Sequence, residues 1–170
     1  MGIPIVALVL AILLTGSVTG PSRARPAASF SLTITALQNP VKAGSEVRIE
    51  MVVTNISNRE ITVSRSNGEG QAEFSGYTAE VRDRKGNLSS ETKYGRGLKG
   101  EGGTPEAPTV TVTNDILFPL QPGKKLKDML IVSRLWDMSQ PGVYSIQVQR
   151  TDPDTGILVR SNSVTVTVTP

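Results

Sequence analysis

Apolar and polar residues alternate in short runs along most of this 170-residue chain. An alternation with a period of two puts every second side chain on the same face, which is typical of a β-strand with one buried face. No apolar pattern with helical spacing is visible beyond the N-terminal segment. The alternating runs predict strands at residues 29–37, 46–54, 60–65, 77–84, 109–113, 126–134, 142–151 and 157–169.

The spacing of these strands predicts the fold class. Turn-forming pairs such as Asn39-Pro40 and Pro122-Gly123 separate successive runs. Short strands with turns between them are typical of two packed sheets. We therefore expect an all-β, antiparallel, two-sheet immunoglobulin-like sandwich of about seven to eight strands.

A tight corner at residues 139–142, Ser-Gln-Pro-Gly, leads into the strand that carries Tyr144. Tyr144, Ile146 and Val148 share one face of that strand by their spacing. A tyrosine here resembles the tyrosine corner of immunoglobulin-like sandwiches, whose hydroxyl group bonds to upstream backbone. We expect Trp136, the only tryptophan, to fill the core beside this corner.

The first residues predict the destination of the chain. Residues 3–14 form an uninterrupted apolar run, and small and polar residues follow at 15–20. This order is typical of a secretory signal peptide, and the run is too short to span a hydrocarbon core of about 30 Å comfortably. We expect a signal peptide at 1–20, with an uncleaved anchor as the alternative. A linker at 21–28 and one exported domain at 29–170 would follow, in the periplasm, at the cell surface or outside the cell.

Composition limits the chemistry. The chain contains no histidine and no cysteine, so Ser-His-Asp and Cys-His nucleophiles and zinc sites with His or Cys ligands are excluded. Paired carboxylates, a Ser-Lys dyad or an all-oxygen metal site remain, but a small sandwich rarely provides the cleft that paired acids need. We expect no enzyme activity, no catalytic residues, no cofactor and no metal.

The net charge of +3 comes from basic and acidic residues that are mixed along the chain, with few aromatic residues. That pattern gives no reason to expect a nucleic-acid partner.

Two local motifs suggest ligand chemistry but have simpler explanations. Residues 95–100 match G-x-G-x-x-G, which binds phosphate only between a strand and the start of a helix. The following Glu-Gly-Gly-Thr-Pro predicts a flexible loop instead. Residues 152–156, Asp-Pro-Asp-Thr-Gly, resemble the start of a calcium loop, but Ser163 stands where the closing acid is needed. The same residues are ordinary hairpin-turn chemistry.

Residues 85–108 form a long insertion dense in glycine, proline and charge. Such a structureless stretch is unusual inside a compact domain. One hypothesis is an adaptable recognition loop, and its candidate binding residues are Lys93, Tyr94, Arg96 and Lys99. The other hypothesis is a solvated insertion with no specific role.

Three short motifs carry a family resemblance: Val-Val-Thr-Asn at 52–55, Leu-Gln-Pro-Gly at 120–123 and Pro-Gly-Val-Tyr at 141–144. With them, residues 29–170 resemble bacterial extracytoplasmic Ig-like domains. The same landmarks are more weakly similar to the Bacillus-type intracellular proteinase inhibitors.

These resemblances and the composition leave three functions open. The first is a non-enzymatic module that binds an unknown protein or glycan through its loops. The second, implied by the weaker likeness, is a proteinase inhibitor that presents a loop to a protease. The third is a structural component of the envelope, which would associate through an edge strand such as 164–169.

Overall fold

The computed structural model describes residues 27–67, 70, 72–99 and 115–170. The expected signal peptide, the linker up to residue 26, residues 100–108 of the insertion and the strand at 109–113 lie outside the described residues. The strands are β1 Phe30–Ala36, β2 Val41–Lys42, β3 Arg48–Asn55, β4 Ile61–Ser66, β5 Tyr77–Arg82, β6 Asp115–Leu120, β7 Lys125–Ile131, β8 Gly142–Thr151 and β9 Leu158–Thr169. The helical elements are a 3-10 turn, Ala72–Ser75, and the short helices α1 Lys93–Leu98 and α2 Val132–Leu135.

The described strands form two larger sheets and one small sheet. The first has the order β1-β3-β7, the second β2-β9-β8-β5, and the third pairs β4 with β6. The all-β, immunoglobulin-like sandwich is confirmed, because inward-facing side chains of both larger sheets belong to one hydrophobic cluster. Two details differ from the prediction: the small third sheet, and the parallel pairing of β2 with β9.

The tyrosine corner is confirmed. Tyr144 is buried, and its hydroxyl group donates to the carbonyl oxygen of Gln140 at 2.8 Å. Trp136 lies in the core as expected, with 7% of its surface exposed, and its indole N–H donates to the carbonyl oxygen of Ala79 at 3.0 Å. The tryptophan therefore joins the segment after α2 to strand β5.

The predicted strand at 126–134 is wrong at its end. Strand β7 stops at Ile131, and one helical turn, α2, follows. The backbone N–H of Val132 donates to the carbonyl of Val47 at 2.9 Å, and Trp136 N–H donates to the Val132 carbonyl at 3.0 Å. This turn redirects the chain and lets Trp136 reach β5.

Strand β9 is not an edge strand, so the expectation of a free edge at 164–169 is wrong. The strand lies between β8 and β2 in its sheet. Beyond the β2 pairing, the side chain of Asn39 donates to the carbonyl of Thr165 at 3.0 Å and accepts from Thr167 N–H at 2.9 Å. Its backbone groups are therefore occupied on both sides, and self-association through this strand loses its structural basis.

A buried arginine joins the small sheet to the second large sheet. Arg150 of β8 has only 6% of its surface exposed. Its guanidinium group donates to the Ser64 hydroxyl at 2.7 Å and to the Tyr77 hydroxyl at 2.8 Å. The guanidinium carbon also lies 4.6 Å from the centre of the Tyr77 ring, so hydrogen bonds and a cation–π contact offset the cost of burying the charge.

Among the described residues, no helix has the length and apolar character that a membrane crossing requires.

Candidate functional site: a groove beside strand β5

The chain after β5 is ordered by a tight hairpin turn. The carboxylate of Asp83 accepts from the backbone N–H groups of Lys85 at 2.8 Å and Asn87 at 2.9 Å. The Asn87 side chain also donates to this carboxylate. That bond is the largest cause that lowers the pKa of Asp83, and the two backbone bonds add to it. Ser89 N–H then donates to the carbonyl of Val81 at 2.8 Å. The returning chain therefore pairs briefly with the outer edge of β5, at its C-terminal end.

The chain then leaves β5 and pairs with the segment that follows α2. The N–H of Asp137 donates to the carbonyl of Ser90 at 2.8 Å, and Thr92 N–H donates to the Leu135 carbonyl at 2.9 Å. A β-bridge joins Glu91 to Trp136 between these two bonds. This divergence separates the returning chain from the first half of β5 and leaves a gap between them.

Helix α1 lies on the far side of that gap. Thr92 caps it, because its hydroxyl oxygen accepts from Gly95 N–H at 3.0 Å. Gly95 packs directly on the carbonyl of Leu135, and a Cβ atom at this position would overlap that carbonyl. The first two glycines of the G-x-G-x-x-G match therefore lie in a helix, and Gly95 allows close contact between α1 and α2.

The flexible loop predicted for the G-x-G-x-x-G stretch at 95–100 is therefore wrong for its described part, because residues 95–98 belong to helix α1. The described residues 85–99 of the insertion contain part of the hairpin turn, the bridge to Trp136 and helix α1. We call residues 83–99 the wall segment.

The four candidate binding residues lie together on and just after α1, with different surroundings. Lys93 is exposed, and Tyr94 is 43% exposed with its hydroxyl group donating to the Glu73 carboxylate at 3.1 Å. Arg96 donates to the carbonyl of Glu91 at 2.5 Å. Lys99 forms an ion pair with the Glu91 side chain, and its ammonium group lies 6.0 Å from the centre of the tryptophan ring. Of the four, Lys99 lines the gap.

The gap is a groove of about 450 Å³ between β5 and the wall segment. We call it the β5 groove. Apolar side chains and acidic side chains both line it, and the sequence analysis identified none of the apolar ones as site residues. Two exposed leucines in an otherwise charged stretch, Leu88 and Leu98, were the available signal. The lining consists of Glu73, Tyr77, Thr78, Ala79, Glu80, Arg82, Leu88, Glu91, Gly95, Leu98, Lys99, Leu135, Trp136 and Gln149.

The three glutamates that line the groove differ in whether a basic side chain pairs with them. Glu80 pairs with Arg82 at 2.5 Å, and Glu91 pairs with Lys99. Glu73 accepts only the neutral Tyr94 hydroxyl, and its second carboxylate oxygen is buried without a hydrogen-bond partner among the described residues. Burial, and then the negative charge of Glu73, raise the pKa of Tyr94. Among the described residues, Glu73 therefore forms no ion pair, unlike Glu80 and Glu91.

The first half of β5 presents backbone groups to the groove. The carbonyl of Ala79 accepts from the Trp136 indole, on the side away from β8. Ala79 lies opposite Val148 of β8. The N–H of Val148 donates to the Ser161 hydroxyl in β9 and therefore does not point toward β5. Ala79 and Val148 therefore form a non-hydrogen-bonded pair, in which the N–H of Ala79 points to the same side as its carbonyl. No acceptor for this N–H is found among the described residues.

The calcium-like stretch at 152–156 is a hairpin turn. The buried carboxylate of Asp152 accepts from Ser29 N–H at 2.6 Å and from Asp154 N–H at 3.0 Å. Asp154 itself forms an ion pair with Arg59 at 3.1 Å. Across the described ranges, no three acidic side chains are grouped so that they could hold a metal ion.

A smaller cavity of about 180 Å³ lies on the other large sheet and includes Asp128 in its lining. Asp128 is buried beside Arg65, with 3.8 Å between the carboxylate oxygen and the guanidinium nitrogen. Burial is the main cause that raises the pKa of Asp128.

Comparison with known proteins gives likenesses of fold. No protein-family model matches the chain, and no curated protein matches it. A β-glucosidase from Listeria innocua, in complex with glucose, aligns with a TM-score of 0.43 and 12% identity over 84% of this chain but 16% of that chain. The CARDB domain of a Pyrococcus furiosus protein aligns with a TM-score of 0.40 and 12% identity over 82% of this chain and 94% of that one.

A third likeness, to β-glucuronidase 2 of Bacteroides uniformis, has a TM-score of 0.35 and 12% identity over 81% of this chain and 13% of that chain. This chain therefore spans less than a fifth of either glycosidase. The likenesses are compatible with the immunoglobulin-like sandwich that the strands of this chain establish by themselves.

Proposed function

We propose that this chain is an exported, non-enzymatic Ig-like module of the bacterial extracytoplasmic type, which binds a protein or a glycan. The observation that carries the proposal is the β5 groove, whose wall is folded against the sandwich through Gly95 and the hydrogen bonds of Thr92. Binding residues are commonly placed on loops that a rigid scaffold holds in position. A groove with apolar walls and a few polar groups is the usual form of a binding site.

The sequence supports export and the absence of catalysis. The apolar run at 3–14 and the small residues after it have the order of a signal peptide. The complete lack of histidine and cysteine removes the commonest nucleophile and base pairs. Periplasm, cell surface and extracellular space are equally compatible with such a module.

A pair of matched substitutions tests the proposal. Leu98 lines the groove and is 41% exposed, and Leu158 is 46% exposed and is not part of the groove lining. Leu98→Arg and Leu158→Arg therefore place the same charged side chain at similarly exposed positions. The immobilised wild-type chain and both variants would be offered the envelope fraction and the culture fluid of the native host.

The proposal predicts a protein or glycan that wild type and Leu158→Arg retain and Leu98→Arg loses. Equal retention by all three chains would contradict the groove's role. A protease as the retained partner, slowed by an equimolar amount of the chain, would identify the module as a proteinase inhibitor.

A further inference from the structure

We infer that two copies of this chain associate through strand β6, the exposed edge of the small sheet, and form a closed antiparallel dimer centred on Leu117. This surface is separate from the proposed function, because no residue of β6 lines the β5 groove. Three features support the dimer: an open backbone edge, exposed apolar side chains, and an order of groups along β6 that is complementary to itself.

The outer edge of β6 is open. The small sheet consists of β4 and β6, so β6 has a paired strand on one side only. Among the described residues, no backbone hydrogen bond is made on its other side. Leu117 is 65% exposed and Ile116 is 43% exposed, and Asp115 and Pro119 are exposed as well. The strand therefore presents both backbone and side chains to solvent.

Two observations indicate which backbone groups of β6 point outward. Ser64 lies opposite Leu117, and Arg150 of β8 donates to both the carbonyl and the hydroxyl oxygen of Ser64. The Ser64 carbonyl therefore points away from β6, which makes Ser64 and Leu117 a non-hydrogen-bonded pair. Pro119 agrees with this alternation, because a proline in an edge strand is placed where its missing N–H would face away from the ladder. The N–H and the carbonyl of Leu117 therefore point to the open edge.

A second copy fits this edge because its donors and acceptors are self-complementary. With a two-fold axis at Leu117, the N–H of Leu117 in each copy donates to the Leu117 carbonyl of the other. By the same alternation the N–H of Asp115 points outward, and it lies opposite the carbonyl of Pro119 in the other copy. Each copy then pairs every N–H that its β6 directs outward, although Pro119 contributes none.

The side chains of β6 match the same register. Ile116 of one copy lies opposite Phe118 of the other, and the two Leu117 side chains are neighbours on the opposite face. A β-branched side chain beside an aromatic one is a favourable cross-strand pair. Because Ile116 and Leu117 are exposed in the single chain, pairing removes apolar surface from water.

The charge of β6 favours this antiparallel register. Asp115 is the only charged residue of the strand. Since it lies opposite Pro119 of the other copy, the two Asp115 residues are about 14 Å apart along the strands, beyond the screening length of about 8 Å at physiological salt. A register centred on Ile116 would halve that separation, and parallel stacking would place the carboxylates side by side. The two-fold arrangement uses the edge once in each copy, so the dimer cannot grow.

The oligomeric state of the full chain tests the inference. The strand is only six residues long, so we expect a weak dimer, visible by sedimentation equilibrium between about 1 μM and 1 mM. Leu117→Pro removes the outward N–H without removing a bond to β4, and it should weaken dimerisation about tenfold or more. Pro119→Thr adds an N–H opposite the unused carbonyl of Asp115, and it should strengthen dimerisation about fivefold or more. Far-UV circular dichroism of both variants would verify folding.

Single cysteines test the register. The chain has no cysteine, so each variant carries one thiol. The two-fold register places the Cα atoms of Leu117→Cys about 5.5 Å apart, within reach of a disulfide, and those of Asp115→Cys about 14 Å apart. Mild oxidation should therefore link Leu117→Cys into covalent dimers much faster than Asp115→Cys. Ile56→Cys, at a position outside β6 that is 59% exposed, is the matched control and should also stay unlinked.

The inference is overturned if the wild-type chain is a monomer throughout this range, if larger oligomers replace the dimer, or if Leu117→Pro dimerises like wild type. Equal oxidation rates of the three cysteine variants would also overturn it, and they decide the question if Leu117→Pro does not fold. If β6 captures an extended segment of another protein while the chain itself stays monomeric, the edge has a different occupant and the dimer is wrong. None of these results bears on the β5 groove, which is tested by Leu98→Arg.

Discussion

The β8–β9 hairpin and the wall segment are both ordered, but different interactions hold them. In the hairpin, Tyr144, Ile146 and Val148 alternate with more exposed residues and enter the hydrophobic core. In the wall segment only Gly95 is buried. Backbone hydrogen bonds, the Asp83 turn, the Thr92 cap and one close backbone contact hold that segment against the sandwich.

This difference predicts different stability. Burial of apolar area is the largest favourable contribution to folding, and the wall segment has little of it. Regions with few buried apolar contacts open at lower free energy than the core, and binding regions are commonly drawn from them. The groove is therefore formed between a rigid edge, β5, and a wall that local bonds hold in place.

The largest effect should follow from a change in the hairpin. Ile146 is fully buried, and Ile146→Ala should lower the free energy of unfolding by about 2–5 kcal/mol, because it removes buried methyl groups and leaves a cavity. Leu98→Ala should cost less than about 1 kcal/mol, since that side chain is already partly in water. Urea unfolding of both variants measures this. Equal losses would contradict the distinction between core and wall.

The two glycines of α1 provide a matched test of the close contact between this helix and Leu135. Gly95→Ala should lower the free energy of unfolding by about 1–3 kcal/mol, because the new methyl group overlaps the Leu135 carbonyl. It should also weaken ligand binding at the groove by displacing α1. Outside its own helix, no heavy atom of the described residues lies within 4 Å of such a methyl group at Gly97, so Gly97→Ala should stabilise by about 0.5–1 kcal/mol. Thermal unfolding and binding of both variants check the pair, and matching behaviour would refute the contact.

Tyr144→Phe should have a smaller effect. It removes the hydroxyl bond to the Gln140 carbonyl and should cost about 0.5–1.5 kcal/mol of unfolding free energy. Because the corner is outside the groove lining, ligand affinity should not change. A loss of affinity in titration calorimetry would show that the corner and the groove are coupled.

The smallest effects concern the pH dependence of stability, first at Asp152. Burial opposes ionisation of this carboxyl group, but hydrogen bonds from Ser29 and its other neighbours outweigh burial and lower the pKa of Asp152. An unfolded aspartate has a pKa of about 3.9, so the stabilisation is present above that value and is lost as pH falls through the folded pKa. Asp152→Asn should flatten the stability profile in this acid range, measured by urea unfolding. An unchanged slope would contradict it.

Asp128 should act in the opposite direction. Its pKa is raised, mainly by burial, so its protonated form contributes stability below about pH 3.9, and that contribution is lost as pH rises through the raised pKa. Asp128→Asn should therefore reduce the fall in unfolding free energy between about pH 4 and neutrality. The same urea series measures it, and a steeper fall would contradict the assignment.

The sequence predicts the core much better than the groove. Alternation and the corner motif were sufficient for the sandwich, the burial of Trp136 and the bond made by Tyr144. Strand β6 lacks clear alternation and contains Pro119, so its pairing with β4 was not predicted. Helix α1 contains two glycines in six residues, which composition assigns to a loop.

The groove depends on contacts between residues far apart in sequence. Gly95 meets Leu135, and Trp136 meets Ala79. No local pattern predicts such contacts. Of the four charged and aromatic residues proposed from composition, Lys99 lines the groove, and its apolar walls come from Leu88, Leu98 and Trp136.

Amide hydrogen exchange of the wall segment tests whether that segment forms an ordered side of the β5 groove. The N–H groups of Ser89, Thr92 and Gly95 are bonded to Val81, Leu135 and the Thr92 hydroxyl. They should exchange more slowly than in an unstructured peptide, but faster than the amides of β8, as expected for an ordered wall with little buried area. Exchange at the unstructured rate would contradict the account, because the β5 groove would then lack its second side.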